Sequence, residues 1–197
     1  MLRFFGLCKF FILLVAVSCN QAENSTKTAE EENFILEADS IALASQKAFL
    51  TKITGALEGG GAEHAVNFCN LAAIPLTDSL STEYGVLIQR LSEKNRNPGN
   101  GLETEEDKKA WDFFIKNGQS QHFSSREDEN MVVYKPIKIG ITTCLECHGV
   151  PNTDILPQTL ARIMEKYPED KATGYEIGML RGMWKIEKPL PDNDLNN

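Results

Sequence analysis

Apolar residues in the first half of the chain recur at the three-and-four spacing of an amphipathic helix. They run over residues 34–57 and stop before three consecutive glycines at 59–61. Because this spacing places apolar side chains on one face, it predicts a long first helix that the glycines end. A shorter helix is predicted over residues 62–72, ending before Pro75 because proline disfavours helical geometry in the residue before it.

The second half of the chain mixes strand and helix patterns. Residues 84–91 are a predicted strand, and Arg96-Asn97-Pro98-Gly99-Asn100 is a strong turn signal. The other predicted elements are a helix opened by a capping box of Thr104 and Asp107, a hairpin of residues 121–124 and 131–139, a helix over 157–167 and a strand over 178–186. This mixture is typical of an α+β domain.

The first residues indicate export. Arg3 and Lys9 accompany an apolar stretch, residues 10–17, that is too short to span a bilayer. It ends in Ala16-Val17-Ser18-Cys19, which resembles the site at which bacterial lipoproteins are cleaved and diacylated. The pattern predicts an extracytoplasmic lipoprotein, in the periplasm or at the cell surface, anchored to the membrane through Cys19. An ordinary secretory signal cut nearby is the alternative.

Three parts of the chain follow from these patterns. Residues 1–18 are the predicted lipoprotein signal peptide, and residues 19–32, which are polar and charged, form a predicted flexible tether. Residues 33–190 form one predicted domain, because the remaining length is too short for two comfortable cores.

Composition excludes one class of partner. The chain is 42% hydrophobic and 24% charged, as in a globular protein, and its formal net charge is −8. Loss of Arg3 and Lys9 with the leader brings the charge near −10. Since nucleic-acid binding depends on clustered Lys and Arg, no nucleic-acid partner is expected.

The cysteines carry the candidate chemistry. Cys8 lies in the leader and Cys19 is the predicted lipid site, which leaves an odd number of thiols in the domain. Two of these stand in Cys144-Leu145-Glu146-Cys147-His148, the spacing at which two thiols reach the vinyl groups of one haem while the histidine binds iron. The motif predicts one covalent haem c. A zinc site would need a fourth ligand, and a redox dithiol lacks its usual βαβ context.

The motif leaves the second iron ligand open. A buried free thiol that only packs is one interpretation of Cys69. The side chains able to bind iron are Met131, Met164, Met179, Met183, His64, His122 and Cys69.

Several segments together resemble a known family, the PAS-like c-type haem domain of bacterial haem sensors and of a cyanobacterial single-haem cytochrome. They are Asn67-Phe68-Cys69-Asn70, Ile74-Pro75-Leu76, Arg96-Asn97-Pro98-Gly99-Asn100, Cys144-Leu145-Glu146-Cys147-His148-Gly149, Tyr167-Pro168-Glu169-Asp170, Ala172-Thr173-Gly174-Tyr175 and Arg181-Gly182. The resemblance spans residues 34–189. It implies a PAS-like antiparallel sheet flanked by helices, with His148 and the thiolate of Cys69 as axial ligands.

Two functions remain at this point. The first is extracytoplasmic electron transfer to a redox partner that the sequence does not identify, and the second is a haem-based redox or gas sensor that signals through a partner. Sensors usually carry an output domain on the same chain, which favours electron transfer. No enzymatic activity is expected, because six-coordinate iron leaves no open site. Arg90, Arg96 and Arg181 are candidate partners of the haem propionates.

Overall fold

The computed structural model describes residues 19–127 and 129–189, with side chains from residue 29 onward. The predicted signal peptide and the side chain of Cys19 lie outside this part. Within it, no helix is both long and apolar enough to cross a membrane.

The longest element is helix α1, Cys19–Tyr84, which is broken once at Gly60 and Gly61. Gly61 has a φ of 68°, in the left-handed region that favours glycine. The glycines therefore interrupt the helix as predicted, and the chain resumes a helical path directly afterwards. α1 begins inside the segment predicted as a tether, 19–32, and that assignment stays a prediction.

The expected helix end before Pro75 is wrong, because α1 continues through Pro75 to Tyr84. A proline inside a helix costs about 3 kcal/mol, since it removes one hydrogen bond and crowds the preceding turn. Beyond it, Leu80 is buried in the core, and Leu76 and Tyr84 pack against the same core. The free energy gained by burying these side chains outweighs the tendency of Pro75 to end the helix.

Four strands form one antiparallel sheet. They are β1 Leu87–Leu91, β2 Phe123–Glu127, β3 Asn130–Lys138 and β4 Leu180–Pro189. Their order across the sheet is β1-β4-β3-β2, so the last strand lies between the first and third. The other helices are α2 Glu105–Lys116, α3 Leu145–His148 and α4 Pro157–Lys166. The α+β class is confirmed, with an antiparallel sheet flanked by helices and preceded by a long helix.

Alternation along the strands gives the sheet two buried faces. On one face, Val133 and Trp184 pack against Phe49 and other residues from the first half of α1. On the other face, Tyr134 and its neighbours pack against Trp111 of α2. Helix α2 begins at the predicted capping box, with the Thr104 side chain and Asp107 each bonding the other's backbone N–H. Each long helix thus covers one face of the sheet.

A polar cluster is buried beneath α2. The Nζ of Lys185 lies 3.2 Å from Asp107 and 3.1 Å from Glu127. The hydroxyl of Tyr134 lies 2.8 Å and 2.7 Å from the same two carboxylates. Every member of this Lys185 cluster therefore has a partner within the cluster.

Candidate functional site

The Cys-Leu-Glu-Cys-His motif lies on a short helical segment that follows β3. A 3-10 turn, Thr142–Cys144, leads into α3, which ends where the Gly149 N–H donates to the Leu145 carbonyl at 2.8 Å. The side chain of Cys144 packs beside Ile139, Ala172 and Tyr175. That of Cys147 packs against a cluster formed by Val66 of α1, Ile163 of α4, and Ile155 and Tyr167, which lie just before and just after α4. The two thiols therefore border neighbouring apolar clusters.

His148 is held in one tautomer. Its Nδ1 lies 2.8 Å from the carbonyl oxygen of Ala172, which can only accept, so Nδ1 carries the proton and donates it. The Nε of Arg181 lies 3.4 Å from the same nitrogen, but it can only donate, and a protonated Nδ1 does not accept from it. Burial, with Arg181 and Arg96 nearby, lowers the pKa of His148 well below its ordinary value. The imidazole is neutral at pH 7, and the lone pair of Nε2 is available to a metal.

Arg96 fixes the motif to the loop that follows α4. It forms a two-pronged ion pair with Asp170, at 3.0 Å and 3.2 Å, and both side chains are nearly buried. The same guanidinium donates to the carbonyl of Cys147 at 2.6 Å. Since the carbonyl of Ala172 belongs to this loop, Arg96 aligns both ends of the His148 hydrogen bond.

Cys69 lies on the second half of α1, near enough to the motif for its charge to act on the pKa of Cys147. Burial raises the pKa of its thiol, while the charges of Arg90 and Arg96 act in the opposite direction. Burial also raises the pKa of Cys147 to about 11, and Cys69 adds to that rise. The fold therefore places Cys69 and Cys147 close enough for the charge of Cys69 to affect the pKa of Cys147. Cys69, Cys144 and Cys147 are all free thiols.

Two further arginines lie at the site without a carboxylate partner among the described residues. The guanidinium of Arg90 stacks over the ring of Phe49, 4.1 Å from its centroid, and approaches Trp184. Arg181 donates to the Ser92 hydroxyl at 3.1 Å and lies over the ring of Tyr175. Burial lowers the pKa of both arginines, that of Arg181 to about 10. Positive charge therefore exceeds negative charge here.

Two buried polar atoms at the site have no hydrogen-bond partner in the described part of the chain. They are the side-chain oxygen of Asn67, two residues before Cys69 on α1, and the hydroxyl of Tyr175. Buried polar groups are almost always paired, so such atoms indicate a missing partner. Together with the arginines and the neutral imidazole, they fit an anionic, metal-bearing group such as haem.

The zinc alternative fits less well. Among residues 29–127 and 129–189, no three His, Cys, Asp or Glu side chains converge as a metal-binding cluster. A structural zinc ion needs four such ligands in a closed tetrahedron.

The other candidate iron ligands lie elsewhere. Met131 is buried on the α1 side of the sheet and Met183 on the α2 side. Met164 and Met179 are 64% and 46% exposed. His64 is exposed, and His122 is half-buried in the loop before β2.

Sequence reasoning missed four contributors to the site. Their roles depend on contacts between distant segments, although all four lie in segments that carried the family resemblance. They are the Asp170 carboxylate, the Ala172 carbonyl, the Tyr175 hydroxyl and the Asn67 amide.

The fold and site define an α+β domain with a Cys-x-x-Cys-His motif set against an arginine-rich surface. The sequence model of the family described as Tll0287-like matches residues 16–189, so the chain belongs to that family. The resemblance drawn from the motifs is confirmed.

One similar solved structure is described as the crystal structure of the cyanobacterial haem protein Tll0287. It is 26% identical to this chain, and the match covers 85% of this chain and 95% of that one, with a TM-score of 0.55. No curated protein matches the chain.

Proposed function

We propose that the domain holds a single covalent haem c, with Cys144 and Cys147 forming the two thioether bonds and His148 binding the iron. The observation that carries this proposal is the neutral imidazole of His148, whose Nδ1 is committed to the Ala172 carbonyl at 2.8 Å. A histidine fixed through one nitrogen presents the other to a metal in a set direction. It directly follows two free thiols at the attachment spacing.

Cys69 is proposed as the second axial ligand. The charges of Arg90 and Arg96 act on the pKa of its thiol, and its own charge acts on the pKa of Cys147. The two arginines favour the anionic form of the thiol, which is the form that binds metal. The described histidines and methionines that compete for this role lie in the two sheet cores or at the surface.

Arg90, Arg181 and the Tyr175 hydroxyl are proposed to bind the propionates. Arg96 is less suited, because Asp170 and the Cys147 carbonyl already engage its guanidinium. Arg90 has no such partner among the described residues, and a carboxylate would compensate its half-buried charge. The unpaired Tyr175 hydroxyl can donate to the same kind of group.

The proposed role is one-electron transfer outside the cytoplasm rather than catalysis. When bound, the haem supplies an iron couple that gains and loses one electron. The chain's part is to hold His148 and Cys69 on the two sides of that group. Two protein ligands leave no coordination position for a substrate, which argues against an enzyme. The thiolate, as an anion, favours the ferric state.

The test begins with the full chain produced in a bacterium that attaches haem c. Denatured protein extracted with acid acetone is expected to keep its haem, and complete loss would contradict covalent attachment. The ferrous protein is then exposed to carbon monoxide. No binding supports electron transfer, whereas fast and tight binding would favour the sensor alternative.

Membrane attachment through Cys19 is a separate proposal. Its support is the Ala16-Val17-Ser18-Cys19 sequence after an apolar stretch. Replacing the thiol, Cys19→Ser, is expected to release the protein from membranes or to leave it as an uncleaved precursor. A processed variant that stays on the membrane would count against lipidation.

A further inference from the structure

The loop that follows α4, residues 170–175, lies along the backbone of the cysteine motif. The Tyr175 N–H donates to the His148 carbonyl at 3.0 Å, and the Gly174 N–H donates to the Gly149 carbonyl at 2.8 Å. These backbone bonds hold the loop against the histidine that is proposed to bind iron. The loop can therefore set the position of a group that contacts the His148 ring.

Arg96 and Asp170 join the same loop to the motif from the turn after β1. The Asp170 oxygen that lies 3.0 Å from the Nε of Arg96 also accepts from the Ala172 N–H at 3.1 Å. The Arg96 guanidinium donates to the Cys147 carbonyl at 2.6 Å and, more weakly, to the Ala172 carbonyl at 3.4 Å. The two side chains therefore contact the backbone at both ends of the hydrogen bond that His148 makes to Ala172.

Stability alone does not account for this ion pair. The side chains of Arg96 and Asp170 are only 10% and 7% exposed. Removing two charges from water costs about as much as their attraction returns, so a buried pair is weak evidence for a contribution to stability. A planar guanidinium does, however, hold a carboxylate and a backbone carbonyl in fixed directions. The geometry therefore fits a role in positioning.

We infer that Arg96 and Asp170 are a positioning pair for the axial histidine, because they hold the Ala172 carbonyl where it fixes the His148 ring. This inference rests on the proposed haem site. A histidine that donates its second N–H to a fixed acceptor is a more basic ligand, and loss of such outer contacts costs about 10- to 100-fold in metal affinity. A more basic imidazole also favours ferric iron.

The test uses the full chain with haem attached and two variants that leave the net charge unchanged. Arg96→Lys keeps the positive charge but lacks the planar fork that reaches both Asp170 and the Cys147 carbonyl. The double variant Arg96→Met, Asp170→Asn removes both charges together, so no buried charge is left unpaired. Should the double variant fail to fold, Arg96→Lys still decides the question.

The measurements are the spin state of the ferric protein and the reduction potential. A weaker bond from His148 is expected to give a high-spin ferric fraction that the wild type lacks. At a fixed applied potential, the ratio of ferrous to ferric protein is expected to rise about threefold to tenfold, as when one hydrogen bond is weakened. Because neither variant changes the net charge, this shift reports the position of the ligand.

The matched control is the double variant Lys135→Met, Asp39→Asn, which removes a partly buried ion pair between the first half of α1 and β3. It is expected to lower stability without changing the spin state or the potential. Wild-type spin state and potential in both Arg96 variants, or an equal change in the control, would overturn the inference. A wild type without covalent haem would instead contradict the proposed function, so the two failures are distinguishable.

Discussion

Two buried polar regions of this domain differ in how their charges are balanced. The Lys185 cluster beneath α2 contains one ammonium, two carboxylates and a hydroxyl, and the ammonium and the hydroxyl each lie within hydrogen-bond distance of both carboxylates. At the cysteine motif, Asp170 balances only Arg96, while Arg90 and Arg181 have no carboxylate among the described residues. The first region is complete without a ligand, and the second is not.

This difference in charge balance distinguishes a polar cluster that stabilises the fold from a candidate binding site. Burying a charge without a partner is expensive, so a fold keeps such a charge only where something compensates it. The Lys185 cluster supplies its own compensation and stabilises the packing of α2 on the sheet. Arg90, Arg181 and the unpaired Tyr175 hydroxyl have no such compensation among the described residues, which is the pattern expected where an anionic group binds. Mutations can therefore test the two regions separately.

The largest expected effect concerns the motif thiols. The double substitution of Cys144→Ser and Cys147→Ser is expected to abolish covalent haem, because no thiol remains to bond the vinyl groups. Haem retained in the denatured protein is the measurement. The Lys185 cluster should be unaffected, so a folded protein with its near-ultraviolet circular dichroism intact is the accompanying control. Covalent haem persisting in the double variant would exclude this attachment site.

Next in size is the loss of the ammonium from the complete cluster. Lys185→Met leaves the buried carboxylates of Asp107 and Glu127 without a cation and is expected to lower the free energy of unfolding by about 3–5 kcal/mol. Denaturant unfolding measures it. Lys188→Met is the matched control on the same strand, because its pair with Glu37 is about half exposed and contributes about 1 kcal/mol at most. If both variants lose the same free energy of unfolding, the buried Lys185 cluster stabilises the fold no more than an exposed ion pair does.

Acid should act on the same cluster. Burial alone would raise the pKa of Asp107, but the Thr104 backbone N–H, the Tyr134 hydroxyl and the Lys185 ammonium outweigh it and lower this pKa. A carboxyl with a lowered pKa contributes stability above its ordinary value, about 3.9, and that stability is lost as the pH falls through the folded-state value. Tm is therefore expected to fall more steeply below about pH 4 in the wild type than in Asp107→Asn. If Tm falls with pH equally in both proteins, the ionised Asp107 carboxylate does not contribute the expected stability.

Cys69→Met tests the site from the ligand side. Replacing an anionic ligand with a neutral one removes stabilisation of ferric iron, so the reduction potential is expected to rise by at least about 59 mV, a tenfold change in the equilibrium. Haem should stay attached, and the thiolate features of the ferric spectrum should disappear. Met183→Leu, in the core on the α2 side, serves as the control and should change neither. An unchanged potential in Cys69→Met would leave Cys69 as a packing residue.

The smallest effect on stability is expected for Arg90→Met. It removes an uncompensated, half-buried cation but also a cation–π contact with Phe49, so the free energy of unfolding of the haem-free protein should change by no more than about 1 kcal/mol. In the haem-bound protein, loss of a nearby positive charge should lower the reduction potential. Arg126→Met, at an exposed pair with Glu31, should leave the potential unchanged. A large loss of stability would mean that Arg90, like Lys185, serves mainly to stabilise the fold.

Local signals in the sequence predicted local structure well. The capping box of Thr104 and Asp107 was readable because both partners lie within one turn of the helix they start. The interruption at Gly60 and Gly61 was likewise readable. Pro75 misled, because its local preference is outweighed by the burial of Leu80 one and a half turns later. That burial depends on the assembled core.

The cysteine motif was also readable from the sequence, and its chemistry stays a prediction, whereas the residues that surround the motif in the fold were not readable. Cys144, Cys147 and His148 lie within five consecutive positions. The Ala172 carbonyl that orients His148, and the Asp170 carboxylate that occupies Arg96, reach the site only through the loop after α4. A backbone carbonyl carries no sequence signature. The family resemblance pointed to this loop without saying what it does.

The place of β4 in the sheet also bears on the order of events during synthesis. β4 lies between β1 and β3, so it forms two of the three ladders of the sheet, yet it is the last of the described strands along the chain. The sheet therefore cannot close until residue 189 has emerged, long after both motif cysteines are accessible. Contacts between such distant segments form slowly. Under the proposed export and covalent haem attachment, a chain with this topology would present an open, unfolded cysteine motif for attachment before its own folding could hide it.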